Sequence, residues 1–178
     1  AVQAYLDKRR IRRGIAVRFG MGAAPDSWDA LLTAMTHKGY TKQELISAGL
    51  AVNGKNGRLY DKFRNRLMLP VIDVRGDVVG FGSRVLDKSE PKYMNTPETL
   101  TYSKRRILYG MNLAKKSKRS NIILCEGNLD VVTLHQAGFD NAVASMGTAL
   151  TQEQLRLLSR YTKELVLCYD NDNAGQQA

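Results

Sequence analysis

Short apolar runs alternate with helix-like segments through the last third of the chain. Asn121-Ile122-Ile123-Leu124-Cys125 is one run and stops at Glu126-Gly127-Asn128-Leu129-Asp130. Leu165-Val166-Leu167-Cys168-Tyr169 is another and stops at Asp170-Asn171-Asp172-Asn173-Ala174-Gly175. Asn141-Ala142-Val143-Ala144-Ser145 lies between them. Runs this short, bounded by Gly and Asn, predict buried strands. The intervening segments 129–137 and 152–161 predict helices, the second opened by the capping-box residues Thr151-Gln152-Glu153-Gln154. Strands alternating with helices predict a parallel sheet with right-handed crossovers.

The pattern before residue 120 is different. Residues 1–13 predict a short helix with a basic end, broken at Gly14. Segments 27–35 and 41–48 predict two more helices, with Ser27 and Thr41 as caps and Thr41 with Glu44 as a capping box. Asn53-Gly54-Lys55-Asn56-Gly57 is a turn. Strand regions follow at 67–74 and 78–82, joined by the hairpin turn Arg75-Gly76-Asp77. Segment 107–116 looks helical. Composition shifts near 105–119, which divides the chain into a basic N-terminal α/β subdomain, 1–106, and a parallel-sheet subdomain, 107–178.

Composition narrows the classes. With 178 residues, 43% of them hydrophobic, the chain can bury a real core. No run of about 18 apolar residues is present, so no membrane span is expected. The N-terminus has neither a signal-peptide pattern nor an initiator Met and reads as part of a longer protein. Cys125 and Cys168 both fall inside predicted buried strands, as free core thiols that suit a reducing cytoplasm. Two Cys and two His, widely scattered, give no zinc spacing. Residues 1–119 carry 24 Lys and Arg against 10 Asp and Glu; residues 120–178 carry 3 against 7. A basic half joined to an acidic half suits a polyanion lying across a phosphate-handling site, with a solvated basic surface as the plain alternative.

Parallel strands would place the acids after 125 and 169 on one edge, where open α/β sheets bind ligands. Asp170 and Asp172, two apart, point the same way in extended chain. With Glu126 they make three converging carboxylates, which call for a hard cation such as Mg²⁺. The competing role for each acid is helix capping, and for Asp130 the two roles are balanced. Arg64 and Arg66, also two apart, would share one face as phosphate clamps. Arg84 leaves the second hairpin strand, and Lys92, Tyr93 and Asn95 lie in a Pro-bounded loop. Residues 58–119 hold 15 of the 27 basic residues, with interleaved aromatics, as a single-strand binding surface would. The competing role for each Arg is a surface ion pair. The runs Lys8, Arg9, Arg10, Arg12, Arg13 and Lys115, Lys116, Lys118, Arg119 read as solvated surface. Trp28, Tyr40, Phe63 and Phe81 read as core, His135 as packing, and His37 as a surface or packing residue.

Glu126-Gly127-x-x-Asp130 after one strand and Asp170-x-Asp172-x-Ala174-Gly175 after a later one resemble the Toprim fold. That fold is shared by bacterial primases, type IA and type II topoisomerases and some nucleases. Upstream motifs narrow the resemblance. They are Tyr60-Asp61-Lys62-Phe63-Arg64-Asn65-Arg66, Gly80-Phe81-Gly82-Ser83-Arg84, Pro91-Lys92-Tyr93-Met94-Asn95-Thr96-Pro97-Glu98-Thr99 and Lys104-x-x-x-Leu108-Tyr109-Gly110. With Ala144-x-x-Gly147-Thr148-Ala149-Leu150-Thr151, they resemble in order the RNA polymerase core of bacterial DnaG-type primases.

The resemblance implies an α/β protein in which a mixed α+β subdomain precedes a Toprim subdomain. It implies synthesis of short RNA primers from ribonucleoside triphosphates on single-stranded DNA in the bacterial cytoplasm. Glu126 would be general acid/base or metal ligand, and Asp170 and Asp172 would bind Mg²⁺ or Mn²⁺. Arg64, Arg66, Arg84, Lys92, Tyr93, Asn95 and Lys104 would line the template and nucleotide path. A zinc module would precede residue 1. A further acidic motif, a helical bundle and a helicase-binding module would follow residue 178, so the chain alone is expected to polymerise poorly. Asn128 and Asn171 stand where the family usually has Tyr and Gly; neither change removes a carboxylate, and Asn tolerates left-handed backbone. The rival readings are a Toprim nuclease or topoisomerase, the latter needing a nucleophilic Tyr in a separate domain, and an inert single-strand-binding fragment.

Overall fold

The computed structural model describes residues 1–147 and 149–170. Its elements run α1 (Val2–Lys8), α2 (Arg13–Arg18), β1 (Gly22–Ala24), α3 (Ala30–His37), α4 (Lys42–Ser47), β2 (Ala51–Asn53), β3 (Leu59–Asp61), β4 (Arg66–Ile72), β5 (Val78–Val85), β6 (Tyr93–Asn95), α5 (Met111–Ala114), β7 (Asn121–Cys125), α6 (Asn128–Gln136), β8 (Ala142–Ala144), α7 (Gln152–Leu158) and β9 (Glu164–Cys168). The first half carries an antiparallel sheet, β1-β4-β5-β6, and a separate hairpin, β2-β3. The second half carries a parallel sheet in the order β8-β7-β9. No helix among the described residues is long and apolar enough to cross a membrane.

The parallel sheet follows from its sequence alternation. Ile122 and Leu124 face one side of β7, while Ile123 and Cys125 face the other. The first side packs with Val143, Leu158 of α7 and Met111 of α5. The second packs with Ala142, Ala144, Val131 and Val132 of α6 and with Leu67, Leu69 and Val71 of β4. One crossover leaves β7 toward β8 and the next returns past β7 to β9. Crossovers of the same hand running in opposite directions must lie on opposite faces, so α6 and α7 cover the two faces. Both capping boxes form as the sequence predicts: Thr41 with Glu44, and Thr151 with Gln154.

Several expectations fail for physical reasons. Gly14 does not break a helix; it lies inside α2. The break comes at Arg10, which adopts φ 54°. A helical Gly costs about 1 kcal/mol. Tertiary contacts offset this, since Phe19 packs edge-on to His135 at 5.1 Å and Arg12 is held by both the side chain and the carbonyl of Gln136. The helix expected over 107–116 begins only at Met111, because Gly110 before it is left-handed, with φ 79°. Ser27 does not cap α3. Its first N–H groups, at Leu31 and Leu32, donate to the buried carboxylate of Asp61, at 2.7 and 2.8 Å.

Trp28 and Tyr40 are exposed, not core, whereas Phe63 is buried. Cys125 is buried but Cys168 is exposed. It lies on β9, the outer strand of its sheet, where Leu167 is 63% exposed and nothing among the described residues pairs with the outer edge.

His135 packs as expected, and it carries a pH dependence. Its Nε2–H donates to the Ala142 carbonyl at 2.9 Å, while Nδ1 is buried with no partner among the described residues. A second proton would have to sit on that Nδ1, and burial lowers the imidazole pKa. The unfolded chain therefore takes up the proton first. Stability contributed by the neutral ring is full above the ordinary His value of about 6.5 and is lost as pH falls below it. Thermal melts at pH 7.5 and 5.5 are expected to show a drop that His135→Gln reduces.

Candidate active site

Parallel pairing sets Cys125 beside both Ala144 and Cys168. The residues that follow each strand therefore emerge on one edge: Glu126 from β7, Ser145 from β8, and Asp170 from the end of β9. Asp130, in the first turn of α6, completes the acidic side. These residues line one wall of a crevice of about 490 Å³. The opposite wall comes from the antiparallel sheet: Arg84 of β5, Lys92 ahead of β6, and Tyr93 and Asn95 within it. Arg9, at the end of α1, also faces the crevice. Acids from one sheet thus look across at cations from the other.

Close backbone approach makes this possible. A side chain at Gly82 would place its Cβ 2.6 Å from Asn128 Nδ2 and 3.2 Å from Asn95 Oδ1. Bare β5 therefore lets the start of α6 come up against it. Asn95 ties the walls together by donating from Nδ2 to the Met146 carbonyl at 3.2 Å. Arg84 donates to the Tyr93 hydroxyl and stacks on that ring, and the Lys92 ammonium lies 5.7 Å from the same ring.

Asp130 takes one of its two expected roles, the helix cap. Its carboxylate accepts from the Gly127 N–H at 3.1 Å, capping α6, and it also faces the crevice. Burial among the surrounding groups pushes its pKa up, the cap hydrogen bond and Arg9 pull it down, and the Asp170 charge adds to the rise. Among the described residues no three His, Cys, Asp or Glu side chains cluster closely enough to hold a metal ion. Asp172 and Asn171 lie outside the described residues.

Three of the basic residues singled out from sequence do not line this crevice. Arg64 and Arg66 do not form an extended pair, because Asn65 between them is left-handed, with φ 49°. Arg64 stacks on Trp28, 4.1 Å from its ring, and on Tyr60 at 5.0 Å, and it donates to the Asp61 carbonyl. Arg66 is buried and donates to the Pro91 carbonyl at 2.8 Å, beneath the loop that carries Lys92 and Tyr93. Lys104 lies near Lys62, whose ammonium pKa is lowered by burial and by Lys104. Its N–H donates to Glu98 at 2.8 Å.

Two features escaped sequence reasoning. Trp28, 60% exposed, heads an open hollow shared with Lys55, Arg58 and Tyr60. Its polar setting, Asp26-Ser27-Trp28-Asp29, was a usable signal. Arg9 carried no such mark, since it sits in a run of five cations that only the fold sorts.

Residues 1–115 match the family model described as DNA primase catalytic core, N-terminal domain. The chain belongs to the DNA primase catalytic-core family. Residues 123–178 match a Toprim-like model, so the Toprim resemblance of the acidic motifs holds. The DNA primase of Clostridium acetobutylicum is 51% identical over 100% of this chain and 30% of its own length. That of Escherichia coli K12 is 42% identical over 100% of this chain and 31% of its own. The chain thus spans about 30% of the length of these curated primases. The solved E. coli primase catalytic core superposes with a TM-score of 0.93 at 42% identity, covering 99% of this chain and 57% of that one. A DnaG primase catalytic domain solved bound to single-stranded DNA gives 0.92 at 42% identity, covering 99% and 58%. The mixed α+β half followed by a parallel Toprim sheet is the architecture of these primase cores.

Proposed function

We propose that this chain supplies the acidic edge and the basic wall of a primase active site, which makes short RNA primers from ribonucleoside triphosphates on single-stranded DNA. One observation carries the reading: in a chain of this family, Glu126, Asp130 and Asp170 share a crevice with Arg9, Arg84 and Lys92. The cations bind the phosphates of the incoming nucleotide and the template, and Tyr93 offers a stacking face beside them. Away from the crevice, the exposed Trp28 ring with Arg64 stacked on it is a platform for a template base and its phosphate. Arg66 acts through Pro91, holding the Lys92–Tyr93 loop. Lys104 is assigned to the surrounding template path.

The acidic edge fits a divalent cation. It presents hard oxygen donors, and burial together with the Asp170 charge raises the Asp130 carboxyl. Glu126, Asp170 and Asp172 would hold Mg²⁺ or Mn²⁺, with Asp130 alongside. When bound, such ions activate the primer 3′-hydroxyl and neutralise charge on the departing pyrophosphate. Glu126 would act as general acid/base or as a ligand. The two roles assign residues 1–106 chiefly to template and nucleotide binding and 107–178 to chemistry. A replicative helicase would be engaged through parts of the protein outside this chain, at the replication fork in the cytoplasm.

The test uses the full-length protein with ribonucleoside triphosphates, Mg²⁺ and unprimed single-stranded DNA. Short RNA products are expected. Cleavage or strand passage without RNA synthesis would point to a nuclease or topoisomerase. Salt-sensitive DNA binding without incorporation would leave only a binding fragment.

A further inference from the structure

Arg84 reaches the crevice held between two rings. Its guanidinium carbon lies 5.0 Å from the Tyr93 centroid and 5.2 Å from that of Tyr5. Tyr93 is a neighbour across the sheet, since Arg84 and Tyr93 are paired residues of β5 and β6. Tyr5 comes from α1, at the far end of the sequence. The same Tyr5 ring carries Arg9, at 5.6 Å. Arg9 and Arg84 both line the crevice, so one ring touches two of its cations.

On Tyr5, both arginines are carried on the ring. The Tyr5 hydroxyl is buried near Arg9 without a hydrogen bond of normal geometry. Arg84 Nε is likewise buried and unpartnered among the described residues. No carboxylate among the described residues forms an ion pair with Arg9 or Arg84, so aromatic rings, with the Tyr93 hydroxyl for Arg84, hold them in place of acids. Stacking fixes a long, rotamer-rich side chain while leaving its charge unneutralised for an anion. Ordering the side chain in advance lowers the entropy cost of binding.

We propose that Tyr5 is a positioning residue that presents Arg84 and Arg9 to phosphates in the crevice. The proposal rests on reading those arginines as phosphate ligands. It extends the site to α1, a segment whose sequence looks like solvated helix.

The experiment measures single-stranded oligonucleotide affinity against salt in the full-length protein, together with nucleotide KM and kcat. Tyr5→Leu is expected to weaken binding about five- to tenfold and to raise KM more than it lowers kcat. It should lower the salt slope by about 0.7 for each phosphate no longer held. Tyr5→Met, longer and ringless, is measured beside it and should behave alike. Tyr5→Phe keeps the ring and should match wild type. In an Arg9→Ala, Arg84→Ala background, Tyr5→Leu should add nothing. An equal further loss in that background would show a merely structural role and overturn the proposal. Wild-type binding by both ringless variants while Arg84→Ala is weakened would overturn it too, leaving the phosphate role of Arg84 intact. Wild-type binding by Arg9→Ala, Arg84→Ala would remove both the proposal and the reading beneath it.

Discussion

Glu126→Gln in the full-length protein is expected to lower primer synthesis by about 10²- to 10⁴-fold, with single-stranded DNA binding unchanged. The two readouts should separate if, as proposed, the crevice divides its labour by sheet. Glu126 follows β7 directly, and β7 is the central strand, paired on both sides. Its carboxylate therefore emerges between Ser145 and Asp170 on the shared edge. The cations that would hold nucleic acid come from β5, from the Lys92 loop and from the end of α1. Gln conserves volume, so packing is left alone and only the charge and the proton-accepting oxygen are removed. Asp130→Asn should cost less, because an amide oxygen can still accept from the Gly127 N–H. Full activity in Glu126→Gln would sink the assignment of this carboxylate to the chemistry. Loss of DNA binding together with activity would show that the two sheets do not divide the work in this way.

The parallel sheet was legible because several local signals agree. Its strands are short apolar runs, its second helix opens with a capping box, and the pattern switches at Gly or Asn. The two sides of β7 then fill alternately, as Ile122 and Leu124 against Ile123 and Cys125 show. The convergence of Glu126 and Asp170 followed from strand ends alone. What failed depended on contacts distant in sequence. The carboxylate that caps α3 sits on β3, so Ser27 looked like the cap while Asp61 does the capping. Arg64 and Arg66 looked like a pair because extended geometry was assumed, and one left-handed residue, Asn65, removes that geometry. Cys168 looked buried because its strand is as apolar as β7. Composition cannot tell a central strand from an outer one, and here Val166, Leu167 and Cys168 are all exposed. Arg9 shows the same limit for charge. Five cations in a row look alike until the fold turns one of them toward a crevice.

Gly110→Ala is expected to be among the most destabilising single-methyl changes in the chain, at about 3 kcal/mol. Two costs add. Gly110 adopts φ 79°, where an L-residue with a Cβ loses about 1–2 kcal/mol. That Cβ would also sit 2.8 Å from Val131 Cγ1 and 3.2 Å from the Ala142 carbonyl. Val131 is fully buried on α6, so it has no free space to move into, and overpacking of this kind costs about 1–3 kcal/mol. Relief would require moving α6 or the neighbouring strand. Next to Gly110, Tyr109 exchanges two backbone hydrogen bonds with Ala144, at 2.8 and 3.1 Å, closing the outer edge of β8. Displacement there passes to Ser145 and Met146 at the crevice, so catalysis should fall along with stability. For a domain of this size the melting temperature should drop by about 6–12 °C. Gly57→Ala is the control. It has a similar φ, 74°, but its Cβ would meet nothing within 4 Å, so only the backbone cost of about 1–2 kcal/mol applies. Thermal unfolding of the two variants side by side isolates the steric part. Equal shifts would mean that Val131 yields freely and that the packing of α6 on this turn is looser than the distances imply.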